Sequence, residues 1–364
     1  MISSLRLRLL TQVEMISERT GKILKSIVGQ YIARATPVPS QSIADISEMG
    51  VSSATIRNEM ARLEHEGYII RAHPSSGSIP SDKGYRYYVA SLNDVILASA
   101  EQRLISHLFH QVEREMEKWV SLAATLIAQL VRNTAVVTMP KPIDCKFKHI
   151  EIVALQESLA LVVLVLHGAK VKQQLLIFDQ VVSQSELTSI ANKLNAAYSG
   201  LSRQQILAKE ISLSLTEQQI SKRLLEMMQT EDELEYEEPY LDGLHFMLSQ
   251  PEFAHSYQML SLVELVEHRT LLRSIIPEEL DRQRVQVVIG KENKVEAFHN
   301  YSVVISKYGI PEEAEGTIGV VGPTRMPYAH TISTVVYLSS LLSGLVAGLY
   351  GKNIPMEQSQ RNTN

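Results

Sequence analysis

The stretch SSATIRNEMARLEHEGY, from Ser52 to Tyr68, decides how the rest of the chain is read. It has the form of one short amphipathic helix with a start and a stop. Ser52 or Ser53 can accept from the orphan backbone N–H groups of a first turn, as an N-cap must. Ile56, Met60 and Leu63 recur at i, i+4 and i+7 and share one buried stripe, and Gly67 closes the helix. The opposite face carries Ala54, Asn58, Arg62 and His65, with Thr55 and Arg57 at its edges. Methyl, amide, hydroxyl and guanidinium groups are the types that meet base edges and phosphates in a DNA major groove. On a lone helix such a face is usually just solvated; the neighbouring segments change that reading.

Upstream, Gly21 to Ala35 places Ile23, Leu24, Ile27, Val28 and Tyr31 on one stripe, a helix of about four turns. It ends before Thr36-Pro37-Val38-Pro39, where two prolines stop helical hydrogen bonding. Ser40 then caps a short helix, Gln41 to Glu48, and Met49-Gly50-Val51 turns the chain into the opening helix. Helix, short turn with glycine, helix is the helix-turn-helix arrangement. Downstream, Tyr68-Ile69-Ile70 reads as a strand, and His73 to Val89 as a Ser/Gly turn between extended pieces. The module is therefore expected to be a winged helix. Arg71, His73, Lys83 and Arg86, with the hydroxyls of Ser75, Ser76, Ser78 and Ser81, are candidate phosphate contacts on the wing. Ser53, Ala54, Thr55 and Asn58, at the N-terminal end of the helix, are candidate base readers. Arg57 and Arg62 are expected to clamp phosphates.

The charge distribution fits. Overall the 364 residues carry −5, which alone argues against a nucleic-acid binder. Residues 1–90 nevertheless hold eleven Lys/Arg against eight Asp/Glu, a net of +3, leaving −8 for the rest. That suits a modestly basic DNA-facing module on an acidic body. One cysteine, Cys145, excludes an internal disulfide and any multi-cysteine metal site, and fits a reducing compartment. The eleven histidines show no metal-site spacing. MISSLRLRLL lacks the pattern of a secretory signal, so a cytoplasmic location is expected.

The segments VSSATIRNEMARLEHEGYI (51–69) and GSIPSDKGYRYYV (77–89) resemble the HrcA family of bacterial heat-inducible transcription repressors. Two further matches follow in order: Leu241-Asp242-Gly243-Leu244 with Leu248 to Phe253, and Val321-Gly322-Pro323-Thr324-Arg325-Met326-Pro327-Tyr328. The resemblance runs from about Leu10 to Tyr350. Two positions depart from the family pattern. Pro39-Ser40-Gln41 stands where the family usually has Gly-Ser-Arg, and Ser78 where it usually has an arginine in the wing. Ser40, Gln41 and Ser52 join the candidate DNA contacts on this footing. The missing cations would weaken binding in a salt-dependent way.

The body divides by period. Asn93 to Asn133 is a helical tract, broken near His110, with Trp119 in a core; 93–146 is read as a helical linker. From Lys148 the pattern alternates: HIEIVAL, LALVVLVLH and KVKQQLLIF form an antiparallel meander. Ser183 and Glu186 then open a helix to about Tyr198. Strands resume at 285–289, 301–306 and 317–321. This order suits an α+β domain from 147–199 and 279–351, which the resemblance implies is GAF-like. An insertion at 200–278, with helices at 215–230 and 255–276, would be a mostly helical dimerisation domain by the same resemblance. It carries an acidic run, Glu226, Glu231, Asp232, Glu233, Glu235, Glu237, Glu238 and Asp242, read as a solvated edge. Thr331 to Gly351 has 21 uncharged residues, long enough to span a bilayer, but its six Ser and Thr residues favour a buried helix. Lys352 to Asn364 reads as a disordered tail.

No phosphate loop, nucleophile elbow or metal cluster supports an enzyme, and no cofactor is expected. The resemblance implies a homodimer that binds an inverted-repeat operator of chaperonin and chaperone operons, kept active by the GroEL-type chaperonin. The competing reading is a metabolite-responsive regulator with a small ligand in the GAF-like domain, for which Cys145, His149, Arg325 and Tyr328 are the residues to inspect.

Overall fold

The computed structural model describes residues 16–46, 52–71, 77–92, 95–141, 145–167, 171–233, 239–253, 285–311 and 313–352. Outside the described residues lie the 49–51 turn, His73, Ser75, Ser76, Glu235, Glu237, Glu238, the helix expected at 255–276, and the tail from 353.

The N-terminal module follows its hydrophobic spacing. Helix α1 (Glu18–Arg34) starts on the Ser17 hydroxyl, which accepts from Thr20 N, and buries Ile23, Leu24, Ile27 and Val28. It stops at Ala35, whose φ of +54° is left-handed. α2 (Ser40–Ile46) leads to α3 (Ser53–His65), capped by Ser52. Strands β1 (Ile69–Ile70) and β2 (Ile79–Pro80) pair antiparallel, Ile69 opposite Pro80, and Val38 adds a bridge to Ser78. The second half of the expected wing is different. Ser81 caps a helix, α4 (Asp82–Ala90), whose Tyr85 and Val89 are buried. The ring-rich DKGYRYYV run puts Tyr85 and Val89 four apart, helical spacing that an extended reading passes over.

Beyond it come α5 (Ser99–Gln111) and α6 (Met116–Val131), parted at 112–115. They are not a linker. α6 buries Trp119, Val120, Ala123, Ala124, Ile127 and Val131 in the main core, and β3 (Thr134–Val137) pairs with the central sheet. Three strands follow, β4 (Phe147–Gln156), β5 (Leu159–Leu166) and β6 (Val171–Ile177), then α7 (Gln184–Tyr198), α8 (Arg203–Leu207) and α9 (Leu215–Glu233). The chain returns through β7 (Tyr240–Asp242), α10 (Leu244–Leu248), β8 (Gln286–Ile289), β9 (Tyr301–Ile310) and β10 (Ala314–Pro323) to α11 (Tyr328–Leu349).

Strand pairing regroups the expected body. The five-stranded antiparallel sheet runs β7-β3-β10-β9-β8, while β4-β5-β6 is a separate sheet. The two have separate cores: α7, α8 and α9 close over β4–β6 around Phe147, Ile150, Val162, Leu164 and Leu224. The strands at 147–177 therefore do not continue the sheet of 286–323. The segment that stands apart begins at Cys145 rather than 200, and ends with α9. Period-two alternation identifies a strand but says nothing of its partner, which explains the different grouping.

α11 is a core helix. Leu338, Leu342, Val335 and Val346 are fully buried against β9 and α6. The buried hydroxyls of Thr331 and Thr334 donate to carbonyls four residues back, at 3.0 and 2.8 Å, so they cost the apolar interior little. The acidic run is only partly solvated. Glu231 is buried against Lys172 at 2.6 Å, Asp232 accepts from the Cys145 amide at 2.9 Å, and Asp242 accepts from the Thr125 hydroxyl at 2.7 Å.

Candidate nucleic-acid interface

The outer face of α3 is assembled by its buried one. Ile56 and Leu63 are fully buried and Met60 nearly so, which fixes the rotation of the helix about its axis. Ala54, Arg57, Asn58, Ala61, Arg62 and His65 are consequently exposed. Ser52 is committed to capping: its hydroxyl accepts from Thr55 N at 3.2 Å and lies 3.0 Å from the Thr55 hydroxyl. Ser53 and Thr55 are half-buried beside it, as is Ser40 at the start of α2, while Gln41 is exposed. Among the candidate residues, Ala54, Arg57, Asn58 and Arg62 are the ones brought together on one open surface.

Arg62 is pre-oriented by Glu66, 2.7 Å away one turn on, and that hydrogen bond raises the guanidinium pKa further. Arg71 sits at the hairpin base, 3.5 Å from Glu64. Beneath α3, Glu59 is a buried carboxylate. It accepts from the Thr20 hydroxyl at 2.8 Å and from Arg19 Nη2 at 2.8 Å, and these partners hold it below the usual carboxylate range. Sequence reading passed over Glu59 and Arg19. The available signal was an acid directly beside the apolar stripe, which demands a cationic or hydroxyl partner.

Four expected wing contacts are elsewhere engaged. Ser78 is fully buried at the foot of β2, where its backbone bonds Val38, and its Oγ meets no hydrogen-bond partner among the described residues. Ser81 caps α4 and donates to the Gly67 carbonyl at 2.6 Å. Lys83 donates to the Glu66 carbonyl at 3.1 Å and covers the Tyr68 ring. Arg86 points into the body: it pairs with Glu292 and donates to the Val287 carbonyl at 2.7 Å, with its side chain only 13% exposed. Ser78 is covered by its bridge to Val38, and the other three follow from one cause. Once Ser81 starts a helix, α4 turns these side chains toward α3 and β8 instead of along an extended strand.

The module is joined to the body by polar struts. Asp82 accepts from the Lys291 amide at 3.0 Å, and Arg325 pairs bidentately with Glu252 while donating to the Ile32 carbonyl at 2.8 Å. Tyr328 hydrogen-bonds Ser302 at 2.8 Å and the Thr324 carbonyl at 2.7 Å. Arg325 and Tyr328 are thus engaged within the fold, at the entry to α11. Cys145, buried under α9, and His149, on the exposed side of β4, lie in the other sheet's unit. The four residues proposed for a ligand pocket do not meet.

Comparison with known proteins places the chain in a family. Residues 117–332 match the family model described as the HrcA protein C-terminal domain. The heat-inducible transcription repressor HrcA of Dehalococcoides mccartyi is 53% identical over 93% of this chain and 98% of its own. That of Herpetosiphon aurantiacus is 39% identical over 93% of this chain and 97% of its own. A crystal structure of a hypothetical protein, 23% identical, covers 92% of this chain and 98% of its own with a TM-score of 0.55, a likeness of fold. With a repressor family matched along nearly its whole length, the chain belongs to the HrcA family of heat-inducible transcription repressors and is not an enzyme.

Proposed function

We propose that the protein acts in the cytoplasm as a homodimer, binds an inverted-repeat operator upstream of chaperonin and chaperone genes, and is kept active by a GroEL-type chaperonin. The observation that carries DNA reading is the open face of α3, with Ala54 and Asn58 near its N-terminal end and arginines on either flank. The hairpin beside it makes the module a winged helix. Its wing supplies Arg71, and His73 and Ser76 remain candidate contacts there. One such helix reads only a few base pairs, so specificity needs two copies and a palindromic site.

Pairing is supported by the outer face of β4–β6. Val153, Leu155, Val171, Leu175 and Ile177 are between 40 and 70% exposed there. In register, Val153 stands beside Leu161 and Leu161 beside Leu175, while Leu159 stands beside Ile177, a continuous aliphatic sheet face. Such a face is expected to be covered by another protein surface, and a second copy offers the same self-complementary patch. The unit from Cys145 to α9 is accordingly the dimerisation domain, and the five-stranded sheet with α6 and α11 is the GAF-like one. Dependence on the chaperonin is supported by the relatives' designation as heat-inducible and by a body whose sheet is assembled from strands far apart in sequence.

Footprinting the upstream region of the source organism's own chaperonin genes tests the reading. A protected inverted repeat is expected. Protection of one half-site only, or none, overturns it. Operator binding that recovers equally after heating with and without chaperonin would remove the feedback.

A further inference from the structure

Building on the DNA-binding reading, we infer that Arg19 is a phosphate-contacting residue, held in place for that task by Glu59. The two side chains come from helices forty residues apart. Arg19, in the first turn of α1, donates through Nε at 3.2 Å and Nη2 at 2.8 Å to a single oxygen, Glu59 Oε1. The other oxygen, Oε2, receives the fully buried Thr20 hydroxyl at 2.8 Å, which in turn lies 2.6 Å from Ser17 Oγ, the cap of α1. Glu59 is 9% exposed, so its carboxylate is spent on holding α1 and cannot itself face a nucleic acid.

The guanidinium is different. Its side chain is 55% exposed, and binding edge-on through one N–H pair leaves Nη1 directed away from the carboxylate. Glu59 precedes Arg62 by three positions, one turn of α3, so its partner stands on the Arg62 side of the base-reading face. Arg62, 54% exposed, is the neighbour of Glu59 one turn along α3, and its charge acts on that carboxylate. Two guanidinia, each fixed by a glutamate and each open to solvent, therefore border the face that Ala54 and Asn58 occupy. An arginine fork pre-oriented by a carboxylate loses less rotamer freedom when it meets a phosphate. Arg19 would extend the phosphate row where Arg86 and Lys83 have left it.

The test is a salt titration of DNA binding by the full-length chain, using a duplex from the chaperonin upstream region and a random duplex of equal length. Arg19→Gln is expected to weaken both complexes alike and to flatten the dependence of log K on log salt by about one unit, one released counterion. Arg19→Lys, which keeps the charge, restores the slope. Thermal unfolding run alongside separates this from lost packing. Weaker binding at an unchanged slope, or no change at all, overturns the assignment and leaves Arg19 as a helix tie. If the wild type shows no salt-dependent duplex binding, the DNA-binding reading itself falls, and this assignment with it.

Discussion

Asn58 is the side chain whose chemistry best matches base recognition, since a carboxamide can bond bidentately to the adenine edge. Asn58→Ala is expected to reduce the preference for operator over scrambled duplex by about 1–3 kcal/mol, read by anisotropy, with little effect on binding to random DNA. Glu59 makes the opposite prediction, on stability. Its folded pKa is depressed below the ordinary 4.5, so the stabilisation it supplies is complete above about that pH and is lost as pH falls through the depressed value. Glu59→Gln should remove part of the acid loss of stability below about pH 4.5, visible in urea midpoints between acid and neutral pH. The sequence shows the exposed residues of α3 plainly, because they are what remains once Ile56, Met60 and Leu63 are turned inward. It does not show that Arg86 faces Glu292, because an ion pair between residues more than two hundred apart leaves no local trace.

Among the elements, α4 is where local chemistry overrode the expected wing. Gly84 lies so close to the hairpin that a Cβ there would stand 2.2 Å from the Tyr68 carbonyl oxygen, a backbone atom that cannot step aside. Gly84→Ala is expected to push α4 off β1 and cost about 1–3 kcal/mol, measurable as a lower melting temperature. The cap was visible in the sequence, since Ser81-Asp82 is a sound helix start. The run of serines and glycine ahead of it favoured a turn reading, and the competing helix signal was short. The strands at 147–177 were legible from alternation and those at 286–323 from their apolar runs, whereas β3, whose four residues are all buried and do not alternate, falls within the tract read as helical. The division of the strands into two sheets was not legible, since β3 reaches β10 across more than 170 residues and β7 joins at its other edge.

At the scale of the whole molecule, the proposed pairing rests on the exposed sheet face. Ile177, at the end of β6 and paired in register with Leu159, is its most exposed aliphatic residue at 70%. Ile177→Asp is expected to dissociate the dimer in sedimentation velocity while leaving the unfolding temperature within a few degrees, because no buried contact is lost. Operator affinity should fall far more than affinity for random DNA. The recognition module and the five-stranded body, by contrast, share one continuous core running from Ile23 through Tyr85, Ile105 and Val120 to Leu342. A single calorimetric transition is expected to melt the two together, with α7–α9 and β4–β6, which have their own core, free to melt apart. Arg325 joins them physically, its guanidinium anchored on Glu252 and touching the last turn of α1 through Ile32. A repressor wired in this way cannot lose its trunk and keep its hand on the promoter. If the DNA is held as proposed, warming that loosens the body releases it in the same event, and restoring that cohesion is the task left to the chaperonin.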